Sequence, residues 1–303
     1  MKKCVVIYNP YSGKKNKEKF LDKFVKILND RGYDTVLYHS KYKGHIIELV
    51  KDCDDVDLVI SLGGDGTFNE AMRGNFKRKK RLVLAHIPVG TTNDVGKMFG
   101  YGKDILKNLE MLLDGEVRKI DVCTINKEPF VYVAGFGKFM NIPYETSRSS
   151  KKKLGYLAYA INVFKDFFRF IRMHDITYIV DGQEYRGLYS FMIASNATRI
   201  AGFKDVFHDV KLDDTKFEVL LCNIKQRKHI IKTLYYLRKT DITHVPGFYF
   251  HKTDKLKIKA NDGKKIEWCV DGEKFESKDS EIEITIDKNV YIMIPKVNID
   301  ELF

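Results

Sequence analysis

The sequence predicts an α/β domain followed by a mainly β domain, an α/β + β architecture resting on three observations. Up to Asp121, short apolar runs alternate with longer amphipathic segments, the rhythm of a parallel sheet with helices on both faces. After Asp121 the apolar runs are short, and Asp-Gly pairs, the dipeptide of tight hairpins, stand between several of them. The length of 303 residues, at about 150 per domain, allows two domains. We place the boundary there, with 1–122 as the α/β unit and 123–287 as an antiparallel β-sandwich. No linker rich in Pro or Ser marks it, and there is no internal repeat.

Each element has its own reason. Cys4 to Tyr8 is apolar throughout, as a strand buried on both faces must be. Glu18 to Arg31 carries Phe20, Leu21, Phe24, Ile27 and Leu28 on one helical face and stops at Gly32. Thr35 to Tyr38 reads as a strand, His45 to Lys51 as a short helix and Asp57 to Leu62 as a strand ending at Gly63-Gly64. Thr67 to Arg73 begins a helix and Leu82 to Ile87 is another strand. Beyond Asp121 the strand-like runs are Phe130–Ala134, Thr177–Val180, Tyr185–Ala194, Phe217–Ile224, Leu256–Ala260, Ile266–Val270 and Ile282–Ile286. Asp181-Gly182, Asp262-Gly263 and Asp271-Gly272 supply the turns. Leu256, Ile258, Ala260 and then Ile266, Trp268, Val270 alternate as antiparallel strands with one buried face do. Gly155 to Met173 reads as an inserted helix.

Composition narrows the function classes. With 44% hydrophobic and 31% charged residues the chain is globular rather than disordered. Lys and Arg outnumber Asp and Glu by 53 to 41, a net charge of +12 that favours an anionic partner. The five cysteines are scattered, with no C-x-x-C pair, which points to a reducing compartment rather than to zinc or a disulfide frame. Cys4 to Tyr8 is too short for a signal-peptide core, and Leu154 to Ile171 is interrupted by Lys165, Asp166 and Arg169, so no membrane span is expected.

Chemistry concentrates in three loops. Gly63-Gly64-Asp65-Gly66-Thr67 follows a strand and opens a helix that holds Asn69 and Glu70. Glycines there let backbone approach a phosphate, and free N–H groups at the helix start point at it. Asp65 beside a phosphate is repulsive unless a cation such as Mg²⁺ lies between. Taken alone, the loop reads equally as a tight turn with a capping Asp. Asn9 to Gly13 follows the first strand and Pro88 to Asp94 the fourth. In an open parallel sheet such loops share one edge, where ligands bind. Together they form a phosphate and ribose cradle with two carboxylates, Asp65 and Asp94. Neither the G-x-x-x-x-G-K-[ST] nor the G-x-G-x-x-G cradle is present.

The set N-P-x-S-G, G-G-D-G-T and P-x-G-T-x-N-D, in that order, resembles the soluble diacylglycerol kinase family over nearly the whole chain; its eukaryotic relatives are sphingosine and ceramide kinases. The G-G-D-G-T loop alone would also fit NAD kinases and 6-phosphofructokinases. The resemblance implies an NAD-kinase-like nucleotide domain, a β-sandwich lipid domain, ATP and lipid meeting between them, and a final segment, about 288–303, returning to the first domain. ATP contacts are then implied at Asn9, Ser12, Gly13, Ser40, Gly64 to Glu70 (Asp65, Gly66, Thr67 and Asn69 included), Gly90, Thr91 and Asn93. Asp65, Asp94 and Asp121 are implied to hold Mg²⁺ between the phosphates, partly through water. In Asp271-Gly272-Glu273 the glutamate is implied as the base that takes the proton of the lipid hydroxyl. In the eukaryotic relatives the G-G-D-G aspartate has that role, so Asp65 stays a rival. Without the resemblance, Asp271-Gly272-Glu273 is a hairpin turn with a solvated Glu.

A looser match, Gly202 to Phe217, implies a second Mg²⁺ held by the Asp214 side chain and the Lys211 and Lys216 carbonyls. Thr215 stands where the pattern has Gly, His208 where it has Pro and Phe203 where a second Gly is frequent, and the alternative is a surface turn with two acids, Asp213-Asp214.

Basic runs at Lys77–Arg81, Arg148–Lys153 and Asn223–Thr240 read as solvated faces or as contacts to an anionic leaflet. Leu154 to Ile171 has the amphipathic pattern of an interfacial helix or of one covering the β domain. No nucleic-acid-binding signature accompanies the charge. The expectation is a cytoplasmic lipid kinase, peripheral on the inner membrane face, using ATP and Mg²⁺, with anionic phospholipid as a partner and a homodimer by analogy. Its lipid is expected to be diacylglycerol. The alternatives are another substrate (a sphingoid base, phosphatidylglycerol or NAD) or a non-catalytic lipid- or nucleotide-binding module.

Overall fold

The computed structural model describes residues 1–12, 20–138, 171–200, 203–204, 207, 209–225, 245–277 and 279–303. Strands β1 (Lys2–Tyr8), β2 (Tyr33–His39), β3 (Leu58–Gly63) and β4 (Val83–Pro88) pair in parallel, in the order β2-β1-β3-β4. Helices α1 (Leu21–Asp30), α2 (His45–Lys51) and α3 (Asp65–Phe76) form the crossovers. β1, β3 and β4 are buried along nearly their whole length, the burial that their continuous apolar runs predict for central parallel strands. β1 to β4 and α1 to α3 share residues with the sequence reading, with ends moved by up to three residues.

Two short helices, α4 (Asp94–Met98) and α5 (Ile105–Leu113), precede β5 (Glu116–Ile125). The strand β18 (Glu281–Ile294) runs antiparallel to β5 for most of its length, joins β4 at Ile292 and, at its other end, pairs with β15 (Lys255–Ala260). Beyond β15 come β8 (His174–Val180) and β9 (Gln183–Tyr189). The result, among the described residues, is one ten-stranded sheet, parallel at one end and antiparallel at the other, which also takes in the short β6 (Glu128–Pro129) beside β5. A second, antiparallel sheet contains β14 (Phe248–Thr253), β13 (Phe217–Cys222), β10 (Phe191–Ser195), β7 (Val133–Gly137), β16 (Trp268–Val270) and β17 (Glu273–Phe275), in that order. A two-residue hairpin, β11 (Arg199–Ile200) with β12 (Phe203–Lys204), and the last helix α6 (Ile299–Leu302) complete the set.

The buried side chains form separate clusters. One joins the parallel strands and their helices with Val290, Ile292, Ile294 and Leu302. A second lies between the two sheets: Ile176, Tyr178, Leu256, Ile258 and Ile284 from the first meet Phe136, Met192, Phe217, Val219 and Trp268 from the second. That is the core of a sandwich.

Four sequence expectations change. Tyr185–Ala194 is not one strand: it breaks at Ser190, whose N–H and hydroxyl both donate to Cys222 O, so β9 stays in the first sheet and β10 enters the second. The run 256–260 alternates as expected, but only Trp268–Val270 of the run 266–270 is strand, with Trp268 and Cys269 both buried, and β15 and β16 lie in different sheets. Phe130–Ala134 is replaced by a strand starting at Val133. β5 and α5 have no counterpart in the sequence reading, and β5 runs straight through Asp121. The inserted helix up to residue 170, the Arg148–Lys153 run and most of Asn223–Thr240 lie outside the described residues, and Ile171 to Met173 are not helical.

Candidate active site

The three loops meet at the C-terminal edge of the parallel strands. Asn9 N–H donates to Leu62 O at 3.0 Å and Val89 N–H to Gly63 O at 2.6 Å, so each strand's exit is tied to its neighbour. Asn9 Nδ2 donates to the Thr67 hydroxyl at 3.1 Å, and the Ser12 hydroxyl lies 3.5 Å from the same oxygen. Gly64 and Gly90 approach so closely that a Cβ on Gly90 would sit 2.7 Å from Gly64 Cα. Only glycine permits that approach, which is why the P-x-G-T-x-N-D loop needs Gly90. Asn93 turns with a φ of 53° and its amide donates to Gly90 O at 3.1 Å. Thr91 is exposed in the same loop, Ser40 is buried at the end of β2 with its N–H on Tyr8 O, and Gly13 lies outside the described residues.

Asp65 joins the second and third loops. Its carboxylate accepts from Asp94 N–H and Val95 N–H, both at 3.1 Å. Burial pushes its carboxyl up to about 6, and the neighbouring Asp94 charge pushes it the same way. Asp94 is 2% exposed. Two withdrawn carboxylates that raise each other's cost of ionisation are suited to share a cation. Burial also raises the Tyr132 phenol, with Asp271, Asp65 and Asp94 adding to it, so three acids surround one tyrosine.

The hairpin β16–β17 brings Glu273 to this cluster. Asn69 Nδ2, one turn into α3, donates to Asp271 Oδ2 at 2.6 Å. Glu70 accepts from Gly44 N–H at 3.1 Å and is raised by burial first, with the Glu273 charge contributing. Glu273 itself is half exposed and pairs with Lys43 at 2.8 Å. Gly64 and Gly90, Asp65 and Asp94, Glu70 and Glu273 therefore belong to one contiguous site.

The remaining metal candidates lie apart. Asp121 accepts from Thr215 N–H at 2.5 Å; burial raises its carboxyl, and the charges weighing most on it are Asp214, Lys288 and Asp213 rather than Asp65 or Asp94. Asp214 is 2.7 Å from the Lys252 ammonium, which also donates to Asp209 O and approaches Glu218 at 3.4 Å. Lys216 N–H donates to Asp214, and the Lys211 ammonium donates to the carbonyls of Asp300 and Phe303. The Asp214 carboxylate is thus paired with the Lys252 ammonium in this structure, while the contacts of Lys211 and Lys216 involve the ammonium and the N–H respectively and not the carbonyls expected at a second metal. Among the described residues no group of three or more His, Cys, Asp or Glu side chains is arranged to hold a metal ion directly. Asp65 and Asp94 fit a Mg²⁺ that completes its shell with water and phosphate oxygens.

Sequence reasoning missed Asp271, Lys43 and Lys252. Asp271 stood in view as half of an Asp-Gly turn; its partners, Asn69 and Val131 to Val133, are more than 130 residues away in the chain, and no local pattern reports them.

The edge of the parallel sheet thus gathers three loops rich in Gly, Asn and Asp, with the carboxylate hairpin of the second sheet beside them. Residues 3–125 match the model of the diacylglycerol kinase catalytic domain. The chain is 26% identical over 305 aligned residues to the diacylglycerol kinase of Bacillus subtilis (strain 168), covering 100% of this chain and 99% of that protein. It is 29% identical to that of Staphylococcus haemolyticus (strain JCSC1435), covering 96% and 90%. A diacylglycerol kinase crystal structure from Bacillus anthracis str. Sterne has the same fold, with a TM-score of 0.76 at 21% identity and 97% of each chain covered. The chain is thus similar to soluble diacylglycerol kinases over nearly its whole length, and residues 3–125 match their catalytic-domain model, which supports a lipid kinase.

Proposed function

We propose that the protein transfers the γ-phosphate of ATP to the hydroxyl of diacylglycerol, giving phosphatidic acid. The observation that carries this reading is the joining of the Gly63–Thr67 helix to the Glu273 hairpin through Asn69 and Asp271. It puts a carboxylate of the second sheet beside the phosphate loops of the first. The nucleotide's phosphates would lie over Gly64 to Thr67 and Gly90, with Asn9, Ser12 and Thr67 as polar contacts and Ser40, Asn69, Glu70, Thr91 and Asn93 around them. Bound Mg²⁺ at Asp65 and Asp94 would neutralise the phosphate charge. Glu273 accepts the hydroxyl proton as the lipid oxygen bonds to the γ-phosphorus and the bond to the bridging β–γ oxygen breaks, releasing ADP. We assign the base to Glu273 over Asp65, because Asp65 already accepts two backbone N–H groups and faces Asp94.

The division near Asp121, with the last strand and α6 returning to the parallel unit, belongs to the same proposal. So does action at a membrane surface bearing anionic lipid, at the cytoplasmic face. The test is transfer of labelled phosphate from ATP to diacylglycerol in vesicles with and without phosphatidylglycerol, run beside sphingoid base and NAD. Phosphatidic acid as the labelled product, with loss on removing Mg²⁺, is expected. Labelled NAD phosphate, or no transfer to any acceptor while ATP binds, would replace the reading by a soluble-substrate kinase or a binding module.

A further inference from the structure

We infer that Asp271 is a positioning residue that locks the Glu273 hairpin onto helix α3. The inference rests on the proposed role of Glu273 as base. Asp271 Oδ2 accepts from Asn69 Nδ2 and Val131 N–H, both at 2.6 Å, and Oδ1 from the Tyr132 and Val133 N–H groups, both at 3.0 Å. Its own N–H donates to Val133 O at 2.8 Å. An ionised carboxylate offers about four acceptor positions, so this one is filled. Three successive backbone N–H groups form a concave donor site that suits an anion.

A hairpin does not ask for this. Asp271 and Gly272 have φ of 48° and 81°, the pair of positive values a two-residue type I′ turn requires, and Asn-Gly meets that requirement equally well. Drawing a carboxylate away from water costs free energy that the turn does not recover. The four donors come instead from elements remote in sequence, one from α3 and three from the segment entering β7. Val270 pairs with Glu273 across the turn, so the anchor and the base are separated by a single, conformationally fixed glycine. α3 also carries Asp65 and Glu70. The Asp271 joint therefore sets the distance between base and phosphate loops, and a misplacement of about 1 Å can cost on the order of 100-fold in rate.

The experiment compares Asp271→Asn, Glu273→Gln and the double variant for kcat with diacylglycerol, ATP Kd and thermal unfolding. Asparagine keeps the turn but replaces an accepting oxygen with a donor. The expected result for Asp271→Asn is a kcat lower by about 100-fold, with ATP Kd within about threefold of wild type. The double variant is expected to match Glu273→Gln, because a positioning residue has nothing left to position. A folded Asp271→Asn with wild-type kcat, beside an impaired Glu273→Gln, overturns the inference. So does a multiplicative loss in the double variant, which would mean action independent of Glu273. Wild-type kcat in Glu273→Gln overturns the base assignment itself and is recognised by that variant alone. If Asp271→Asn does not fold, Asn69→Ala removes one of the four donors: a lowered kcat that is not additive with Glu273→Gln supports the joint, and an unchanged kcat refutes it.

Discussion

Asp65 holds the second and third loops together at the expense of its own ionisation. Its carboxyl rises from the unfolded value near 3.8 to about 6, chiefly through burial and then through Asp94. A carboxyl raised on folding binds more protons in the native state, so its contribution is present below about pH 4 and is lost as pH rises through about 6. Asp65→Asn is therefore expected to be more stable than wild type at pH 7 by about 1 kcal/mol, one lost N–H bond offsetting part of the gain. It should also flatten the stability profile between pH 4 and 6; denaturant unfolding across that range checks both. Millimolar Mg²⁺ should raise the unfolding midpoint of wild type and leave Asp65→Asn unmoved, and equal shifts would remove the metal role. Glu273 is half exposed and, among the described residues, pairs with Lys43, so Glu273→Gln should leave stability within about 0.5 kcal/mol. Turnover in the same variant should fall about 100-fold or more, the size of a general-base effect. Glycine, Asp and Asn at these loops were readable as residue types that phosphate chemistry needs; that Asp65 caps Asp94 and Val95 was not, since the partners are 29 and 30 residues on.

Among elements, the segment around Thr215 shows what a local rule does and does not decide. The sequence reading flagged Thr215 as costly if its position needs positive φ, and its φ is 66°. Its N–H on Asp121 holds it there. Thr215→Gly is expected to stabilise the fold by about 1 kcal/mol, relief of left-handed strain outweighing the added chain entropy, and thermal unfolding measures it. A lysine from β14 stands beside Asp214, a contact that needs the pairing of Glu218 with Lys252 across two strands. Lys77–Arg81 divides in the same way. Arg78 caps the end of α2 through the Val50 and Lys51 carbonyls, and Arg81 makes two bonds to Asp287 over the Phe76 ring, which leaves only the lysines as a solvated face. α5 has a local signal: Asp104 caps it by accepting from Leu106 and Lys107 N–H, ahead of a Leu109 and Leu112 stripe. The sheet change at Ser190 had no signal, because strand propensity continues across it.

The molecule as a whole carries a net charge of +12, and no helix among the described residues is long and apolar enough to cross a membrane. Binding to phosphatidylglycerol vesicles is expected to weaken at least tenfold between about 50 and 500 mM salt, while binding to neutral vesicles stays low throughout. Sedimentation with the two vesicle types reads this directly, and salt-independent binding would assign attachment to apolar contact instead. The composition, the alternation of strands and helices before Asp121 and the three ordered loops determined the fold class, the parallel sheet edge and the phosphate chemistry, because each depends on spacing within a short window of chain. Tertiary structure alone decided that β18 continues the parallel sheet into the sandwich, that Lys252 reaches Asp214, and that Asp271 joins the Glu273 hairpin to α3. Those choices join residues 38 to 208 positions apart, and only the packed chain brings such groups together.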